Sequence, residues 1–270
     1  MGSCNSTTTT KHIVISTKKN NQAIIERAKN SKILALDGPP KAKQLDLEGV
    51  VDLRSVSIRG LGLREVPRSL KQSKRTLKTL KLSSNELVEI PKFFQEFEQL
   101  MTLDLAGNSL SMTEISFQLF PRSLQALNLS KNRLTSIGNL EHLTALVDLN
   151  LSENPNIDSI EAVDWSKLTS LEELNVHGLK LMKLPVSLSR APRLTVISAQ
   201  NNTLSARDGI PEEILNDSPL LHTLHLEGND QITLTVFMNL PGVDAYLNRR
   251  KAKVDKQLAG GTFSPDLAVI

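Results

Sequence analysis

The sequence predicts an α/β solenoid in which about eight copies of one strand-and-turn unit stack into a horseshoe, with a parallel concave sheet and helical caps. Two observations predict it. A pattern of leucine and asparagine recurs at nearly constant spacing from residue 53 to about residue 235. Leucine also dominates the apolar residues, and only 3% of the chain is aromatic. This composition is more typical of stacked repeats than of a globular enzyme.

The repeated unit reads L-x-x-L-x-L-x-x-N-x-L, with other aliphatic residues replacing some of the leucines. The copies begin at residues 53, 77, 100, 124, 146, 171, 194 and 221, which gives spacings of 22 to 27 residues. Repeats of this type are roughly 20–29 residues long. Six copies carry the asparagine, namely Asn85, Asn108, Asn132, Asn154, Asn202 and Asn229. The other two have Leu61 and Leu179 at that position.

The pattern itself indicates what each position does. The L-x-L core predicts a short strand whose alternate leucines point inward, because side-chain direction along a strand has period two. The asparagine side chain can bond backbone groups at the turn that would otherwise be buried without partners. We therefore expect Leu61 and Leu179 to leave two weaker links in an asparagine ladder.

A stack of repeats exposes an apolar edge at each end, so both ends need a cap. We divide the chain into a flexible, acylated N-terminal spacer (1–21), an N-terminal cap (22–52), the repeats (53–235), a C-terminal cap helix (236–258) and a disordered tail (259–270).

Within the caps, the sequence predicts a helix from Gln22 to Lys29, a strand over residues 33–36, and Pro241 in the first turn of the C-terminal helix. The outer face of that helix is basic, with Arg249, Arg250, Lys251, Lys253 and Lys256. A solvated helix face is the simpler interpretation of these charges, and contact with anionic lipid is the alternative.

The N-terminus predicts lipidation. Removal of Met1 would leave Gly2 followed by Ser6, the pattern of an N-myristoylation signal. The only cysteine, Cys4, lies where a palmitoyltransferase could reach it. A single myristoyl chain binds membranes with only about 10⁴ M⁻¹, whereas two acyl chains give stable anchoring. The alternative is a Met-Gly start that arose by accident.

Composition excludes several other classes. A formal charge of +3 does not indicate nucleic-acid binding. The sequence has no run of 18 apolar residues and therefore predicts no transmembrane helix. It also lacks the apolar h-region of a secretory signal peptide. One cysteine excludes a disulfide framework. We therefore expect a monomer at the cytosolic face of a membrane, with a cytosolic pool besides.

The alternate, outward positions of the strands should form a polar concave face that binds a protein partner. Its candidate residues are Arg59, Lys81, Asp104, Asn128, Asn150, Asn175, His177, Gln200, His225 and Glu227. A solvated sheet face is the alternative interpretation.

Catalysis and metal binding are not indicated. His177 and His225 are two repeats apart, roughly 10 Å at the usual strand spacing, which is too far to share a metal ion. No phosphate-binding loop, nucleophile motif or Cys/His cluster occurs. We expect no cofactor, no metal and no enzymatic activity.

The repeats and both ends together carry a family resemblance. The chain resembles the small intracellular leucine-rich repeat proteins, in particular the leucine-rich repeat-containing protein 57 family, in its Met-Gly start, its N-terminal cap and the segments 226–229 and 240–246. This resemblance implies a leucine-rich repeat horseshoe and a membrane-associated or cytosolic interaction protein without catalytic residues.

A second functional hypothesis comes from residues 137–140, which resemble the repeats of a phosphatase-1 regulator. It is a soluble regulatory subunit of a phosphatase or a ubiquitin ligase.

Overall fold

In the computed structural model, residues 18–38, 45, 47, 49–111 and 117–259 are described. They contain a single sheet of nine parallel strands in sequence order, β1 to β9. The strands are β1 (Ile33–Asp37), β2 (Ser55–Arg59), β3 (Thr79–Lys81), β4 (Thr102–Asp104), β5 (Ala126–Asn128), β6 (Asp148–Asn150), β7 (Glu173–Asn175), β8 (Val196–Ser198) and β9 (Thr223–His225). The predicted parallel solenoid is therefore confirmed.

Helices and short turns connect the strands. The α-helices are α1 (Lys18–Ser31), α2 (Glu212–Asn216), α3 (Leu234–Met238) and α4 (Val243–Ala259), and 3₁₀ turns cover Arg68–Ser73, Lys92–Glu96, Trp165–Lys167 and Val186–Arg190. Proline immediately precedes three of the 3₁₀ turns and α2, as Pro67, Pro91, Pro185 and Pro211. The fixed φ angle of proline suits the start of a helical turn, and proline has no backbone N–H that would lack a partner there.

Strand alternation produces the core. In each strand the inward residue is buried, and these residues stand opposite one another across the sheet, as Leu80 does with Leu103 and Leu127 with Leu149. A fully buried leucine contributes roughly 1.5–3 kcal/mol relative to an exposed one. Because each repeat adds several, burial favours a continuous stack over separate repeats.

The asparagine ladder forms as the pattern predicts. The Asn132 Nδ2 donates to the Leu105 carbonyl at 3.0 Å and to the Leu129 carbonyl at 2.9 Å. Its Oδ1 accepts a hydrogen bond from the Leu110 N–H at 3.0 Å. Each buried asparagine thus joins its own repeat to the preceding one. Asn85, Asn108, Asn154, Asn202 and Asn229 make equivalent bonds.

The ladder is interrupted at Leu179, which is 4% exposed. The preceding repeat has an extra residue in its turn, and the Ile157 N–H donates to the Asn154 carbonyl at 3.0 Å. An asparagine at position 179 would accept a hydrogen bond from this Ile157 N–H, which is therefore already bonded. Leu179 therefore leaves no buried N–H without a hydrogen-bond partner. The bond within the preceding repeat compensates for the missing asparagine, so this position is not the weak link that the sequence alone suggested.

A left-handed residue precedes each ladder position, and the sequence pattern does not reveal it. These residues are Gly60, Ser84, Gly107, Lys131, Glu153, Gly178, Asn201 and Gly228, all with φ between 51° and 74°. The turn changes the chain direction after each strand, so the next side chain points into the core. Half of the positions are glycine, which adopts this conformation without steric cost.

The caps differ from expectation in three details. Helix α1 begins at Lys18, so residues 18–21 belong to a helix and not to the predicted spacer. The C-terminal cap is two helices, α3 and α4, and not one helix over 236–258. Pro241 lies before α4, not in its first turn, because Gly242 at φ 82° reverses the chain there. Ala259, the first residue of the predicted tail, still belongs to α4, and the remaining residues 260–270 lie outside the described residues.

Candidate functional site

The parallel register brings all ten predicted face residues to one side of the sheet. We call this side, which points away from the core, the concave face. Lys81, Asp104, Asn128, Asn150, Asn175 and His225 stand in one cross-strand column. The second column, which contains Arg59, His177, Gln200 and Glu227, is held by backbone bonds such as Glu153 N–H to the His177 carbonyl at 2.8 Å.

The asparagines of the central column have fixed orientations. The Oδ1 atoms of Asn128, Asn150 and Asn175 each accept a hydrogen bond at 3.0 Å from the N–H two residues further on. Asp104 does the same at 3.1 Å. Among the described residues the three Nδ2 groups have no acceptor. They form a row of oriented donors, spaced by the roughly 4.8 Å between neighbouring strands.

An ion pair crosses the N-terminal part of the face. The Arg59 Nη2 lies 3.4 Å from the Asp104 Oδ2, so the pair spans from β2 to β4. The Asp104 side chain is 15% exposed, whereas the Arg59 Nε is buried without a hydrogen-bond partner in the described part of the chain. Lys81 lies on the strand between them.

The middle of the face is acidic. Asp148 on β6 stands directly opposite Glu173 on β7, and both are exposed. Within the described residues neither carboxylate forms an ion pair. Partial burial, with a smaller contribution from the charge of Glu173, raises the pKa of Asp148 above its ordinary value.

At the C-terminal end of the concave face, two side-chain oxygen atoms lack a hydrogen-bond donor in the described structure. The Gln200 Oε1 and the Glu227 Oε2 are buried without partners in the described structure. The Glu227 Oε1 lies 4.0 Å from the His225 Nδ1, and the His177 Nδ1 lies 3.5 Å from the Asn201 Nδ2. No group of three His, Cys, Asp or Glu among the described residues has a metal-binding arrangement.

A separate cavity of about 830 Å³ lies off the concave face, and no sequence motif indicates it. Its lining includes Phe97, Arg122, His142 and Lys167. The His142 Nε2 lies 3.0 Å from the Phe120 carbonyl, and burial lowers the pKa of this histidine. The cavity is lined by acidic, basic and apolar side chains together, so its lining indicates no particular ligand.

The basic end helix is only partly a free surface. Arg249 points inward, with its Nε bonded to the Leu221 carbonyl at 3.0 Å and its guanidinium nitrogens bonded to the carbonyls of Leu215 and Asn216. It therefore caps the C-terminus of α2 and does not belong to the outer basic face. Lys251, Lys253 and Lys256 are exposed.

The predicted lipidation residues, Gly2 and Cys4, lie outside the described residues. In the described part of the chain, no helix combines the length and apolar character needed to cross a bilayer.

The family model described as Leucine Rich repeats (2 copies) matches residues 122–165. That match covers β5 and β6, whose geometry the other strands repeat. This chain has the leucine-rich repeat fold. Residues 122–165 include Asn132 and Asn154, both members of the asparagine ladder.

Curated relatives are also leucine-rich repeat proteins in several cases. The chain is 36% identical over 111 residues to a leucine-rich repeat-containing protein of Schizosaccharomyces pombe, covering 41% of this chain and 18% of that protein. It is 30% identical over 198 residues to Tsukushi of Gallus gallus, covering 71% of this chain and 53% of Tsukushi. It is 32% identical to human Podocan-like protein 1 over 184 residues, 58% of this chain and 35% of that protein. The chain thus spans from about a fifth to about half of these relatives.

Solved structures share the fold. Internalin C2 of Listeria monocytogenes aligns with a TM-score of 0.61 at 20% identity, over 83% of this chain and 91% of that one. The Arabidopsis receptor kinase HAESA, solved with the peptide hormone IDA and the co-receptor SERK1, aligns with a TM-score of 0.54 at 26% identity, over 72% of this chain and 34% of that one. The narrower resemblance to the leucine-rich repeat-containing protein 57 family remains a prediction.

Proposed function

We propose that this leucine-rich repeat chain is a non-catalytic interaction scaffold, anchored by N-terminal lipids at a cytosolic membrane face. The observation that carries the binding role is the concave face. Its asparagine side chains are held in one orientation by the backbone, yet their Nδ2 donors have no partner in the described residues. Such preorganised polar groups bind with little ordering cost.

The acidic middle and the C-terminal end of the face favour a partner segment that presents basic, hydrogen-bond-donating side chains there. Asp148 and Glu173 are unpaired, and the Gln200 Oε1 and Glu227 Oε2 lack donors in the described structure. A lysine or arginine from a partner would relieve the repulsion between the two carboxylates. HAESA, a similar fold, is solved with a bound peptide hormone, which supports a peptide-like ligand.

The lipid part of the proposal is supported by Gly2, Ser6 and Cys4 in the sequence. Metabolic labelling with alkynyl myristate tests it. We expect label on the wild-type chain and none on Gly2→Ala. Label that persists in Gly2→Ala would contradict the myristoylation site. Palmitoylation at Cys4 is tested separately, because Cys4→Ser should then move the protein from the membrane to the soluble fraction.

The binding role is tested by charge reversal on the concave face. We expect Asp148→Lys with Glu173→Lys to abolish capture of the partners that the wild-type chain retains. The matched control is Glu89→Lys with Asp158→Lys, which changes two exposed acids away from this face that have no ion pair within the described residues. Equal loss in both variants would contradict a concave-face site.

The same capture experiment addresses the alternative function. A stoichiometric phosphatase or ubiquitin-ligase subunit, retained by Gly2→Ala from the soluble fraction, would favour a soluble regulatory subunit over an anchored scaffold.

A further inference from the structure

The C-terminal cap brings basic side chains to one flank of α4. The Arg249 Nε donates to the Leu221 carbonyl at 3.0 Å, which holds this side of the helix against the chain just before β9. Lys253 is one turn after Arg249, about 40° around the helix from it, and therefore lies on the same side. Lys251 is about 160° around the helix from Lys253, on the opposite flank. Both lysines are exposed.

His222 lies beside the Lys253 flank, because it directly follows Leu221 in the chain. Its N–H donates to the Thr195 carbonyl at 3.1 Å, and its Nδ1 lies 2.9 Å from the Thr223 hydroxyl oxygen. The side chain is partly buried. Its Nε2 has no hydrogen-bond partner in the described residues. The imidazole thus has a fixed position and one nitrogen left for a ligand.

The neighbouring charges that act on His222 are both positive. Burial is the main cause that lowers the pKa of His222, and the cations of Lys253 and Arg250 lower it further. Glu172 precedes β7 as His222 precedes β9, but its carboxylate is bound by Arg193 at 3.1 Å. Within the described part of the chain, Lys253 forms no ion pair. Three bases therefore meet where no carboxylate offsets them, and an anion would stabilise the arrangement.

A phosphate group suits this arrangement better than a carboxylate does. It carries up to two negative charges and offers three strong acceptor oxygens. His222, Lys253 and Arg250 would supply an imidazole, an ammonium and a guanidinium from two separate chain segments, all of which donate hydrogen bonds when charged. Hydrogen bonds between such cations and phosphate oxygens are roughly twice as strong as neutral ones.

We propose that His222, Arg250 and Lys253 form a binding site for a phosphate group between α4 and the start of β9. Lys256, one turn beyond Lys253 and exposed, lies at its outer end. The phosphate belongs to a soluble ligand or to a lipid headgroup, since both present the same oxygens. The inference depends neither on the concave face nor on N-terminal acylation.

Nuclear magnetic resonance of the full chain, titrated with inorganic phosphate, tests the site. We expect the ring signals of His222 to shift and saturate, while those of His177 and His225 on the concave face stay in place. Sodium chloride at the same ionic strength controls for screening. Lys253→Gln should weaken phosphate binding about threefold, the scale of one exposed ion pair.

The matched control is Lys251→Gln, which removes an equally exposed charge from the opposite flank of α4. It should leave the phosphate affinity at the wild-type value, and both variants should melt like wild type because neither lysine is buried. Equal phosphate affinities in the two variants, or a His222 shift that chloride reproduces, overturns the proposal.

Vesicles distinguish the two sources of the phosphate. The Gly2→Ala chain, which no myristoyl group can anchor, is mixed with phosphatidylcholine vesicles that contain or lack phosphatidic acid. Binding that requires phosphatidic acid and is weakened by Lys253→Gln but not by Lys251→Gln assigns the site to a lipid headgroup. Binding of inorganic phosphate alone assigns it to a soluble ligand. Equal weakening of vesicle binding by both substitutions would show a diffuse basic surface. That result, or a failure to bind either probe, overturns the proposal.

Discussion

Asp148 and Glu173 stand directly opposite each other on neighbouring parallel strands, two carboxylates in register. No cation among the described residues lies in salt-bridge range of either side chain. Opposed like charges on adjacent strands are destabilising. The chain therefore keeps an unfavourable pair at the centre of its candidate binding face, and a basic partner would convert it into a favourable one.

Replacing Asp148 should stabilise the free protein at neutral pH. Because the pKa of Asp148 is raised in the folded state, the folded protein binds its proton more tightly than the unfolded chain does. Stability therefore falls as pH rises from about 3.9 through the folded pKa. We expect Asp148→Asn to be more stable than wild type at pH 7 by at most about 1 kcal/mol, since the side chain is only partly buried and solvent screens its charge. The advantage should shrink towards pH 4.

Urea denaturation at several pH values and two salt concentrations measures this effect. An advantage of Asp148→Asn that grows as pH falls, or that is larger at high salt, would contradict the electrostatic explanation.

Removing one asparagine of the ladder should be costly. Asn132→Leu strands the buried Leu110 N–H and removes two donations to buried carbonyls. We expect a loss of about 2–3 kcal/mol in the free energy of unfolding, the scale of a buried unsatisfied donor. Denaturant midpoints report it, with the exposed Asn139→Leu as the control.

The reverse change at position 179 should bring no comparable gain. An asparagine at position 179 would accept a hydrogen bond from the Ile157 N–H, but this N–H already donates to the Asn154 carbonyl. We expect Leu179→Asn to be no more stable than wild type. A clear rise in its melting temperature would show that the ladder gap is an uncompensated defect.

Arg249 should matter to folding more than its neighbours on α4. It bonds three backbone carbonyls at the end of α2 and near it, and burial lowers its pKa. We expect Arg249→Met to destabilise the C-terminal cap by about 1.5–3 kcal/mol, the worth of a charged hydrogen bond. Lys251→Met, on the exposed side, should change stability by less than about 0.5 kcal/mol. Thermal melts of both variants make the comparison.

The N-terminal cap should be needed for solubility. Deleting residues 2–40 removes α1 and β1 and exposes Val56 and Ile58, both now fully buried. We expect aggregation or a clear fall in melting temperature, because a terminal repeat without a polar cover is insoluble. Deleting residues 2–11 removes the lipidation sites alone and should melt like wild type. A soluble, stable 2–40 deletion would show that the cap is dispensable.

Local pattern allowed much of the fold to be predicted. The L-x-L alternation and its spacing locate the eight repeat strands, and the asparagine at each turn indicates the ladder, because both follow from chemistry within one repeat and its neighbour. The concave columns follow from the same register. The sequence could not indicate which polar groups on that face remain free, since that depends on each side chain's own backbone bond, as at Asn150.

What the sequence by itself determined is therefore the repeat, the parallel sheet and the set of residues on each face. Periodicity dictates these, because burial of every inward leucine admits only one register. Only the tertiary structure decided that Leu179 is compensated and that Arg249 turns inward. Arg249 turns inward through bonds to residues far earlier in the chain, and Leu179 is compensated by a turn bond within the preceding repeat. In both cases hydrogen-bond satisfaction and not local propensity selects the arrangement.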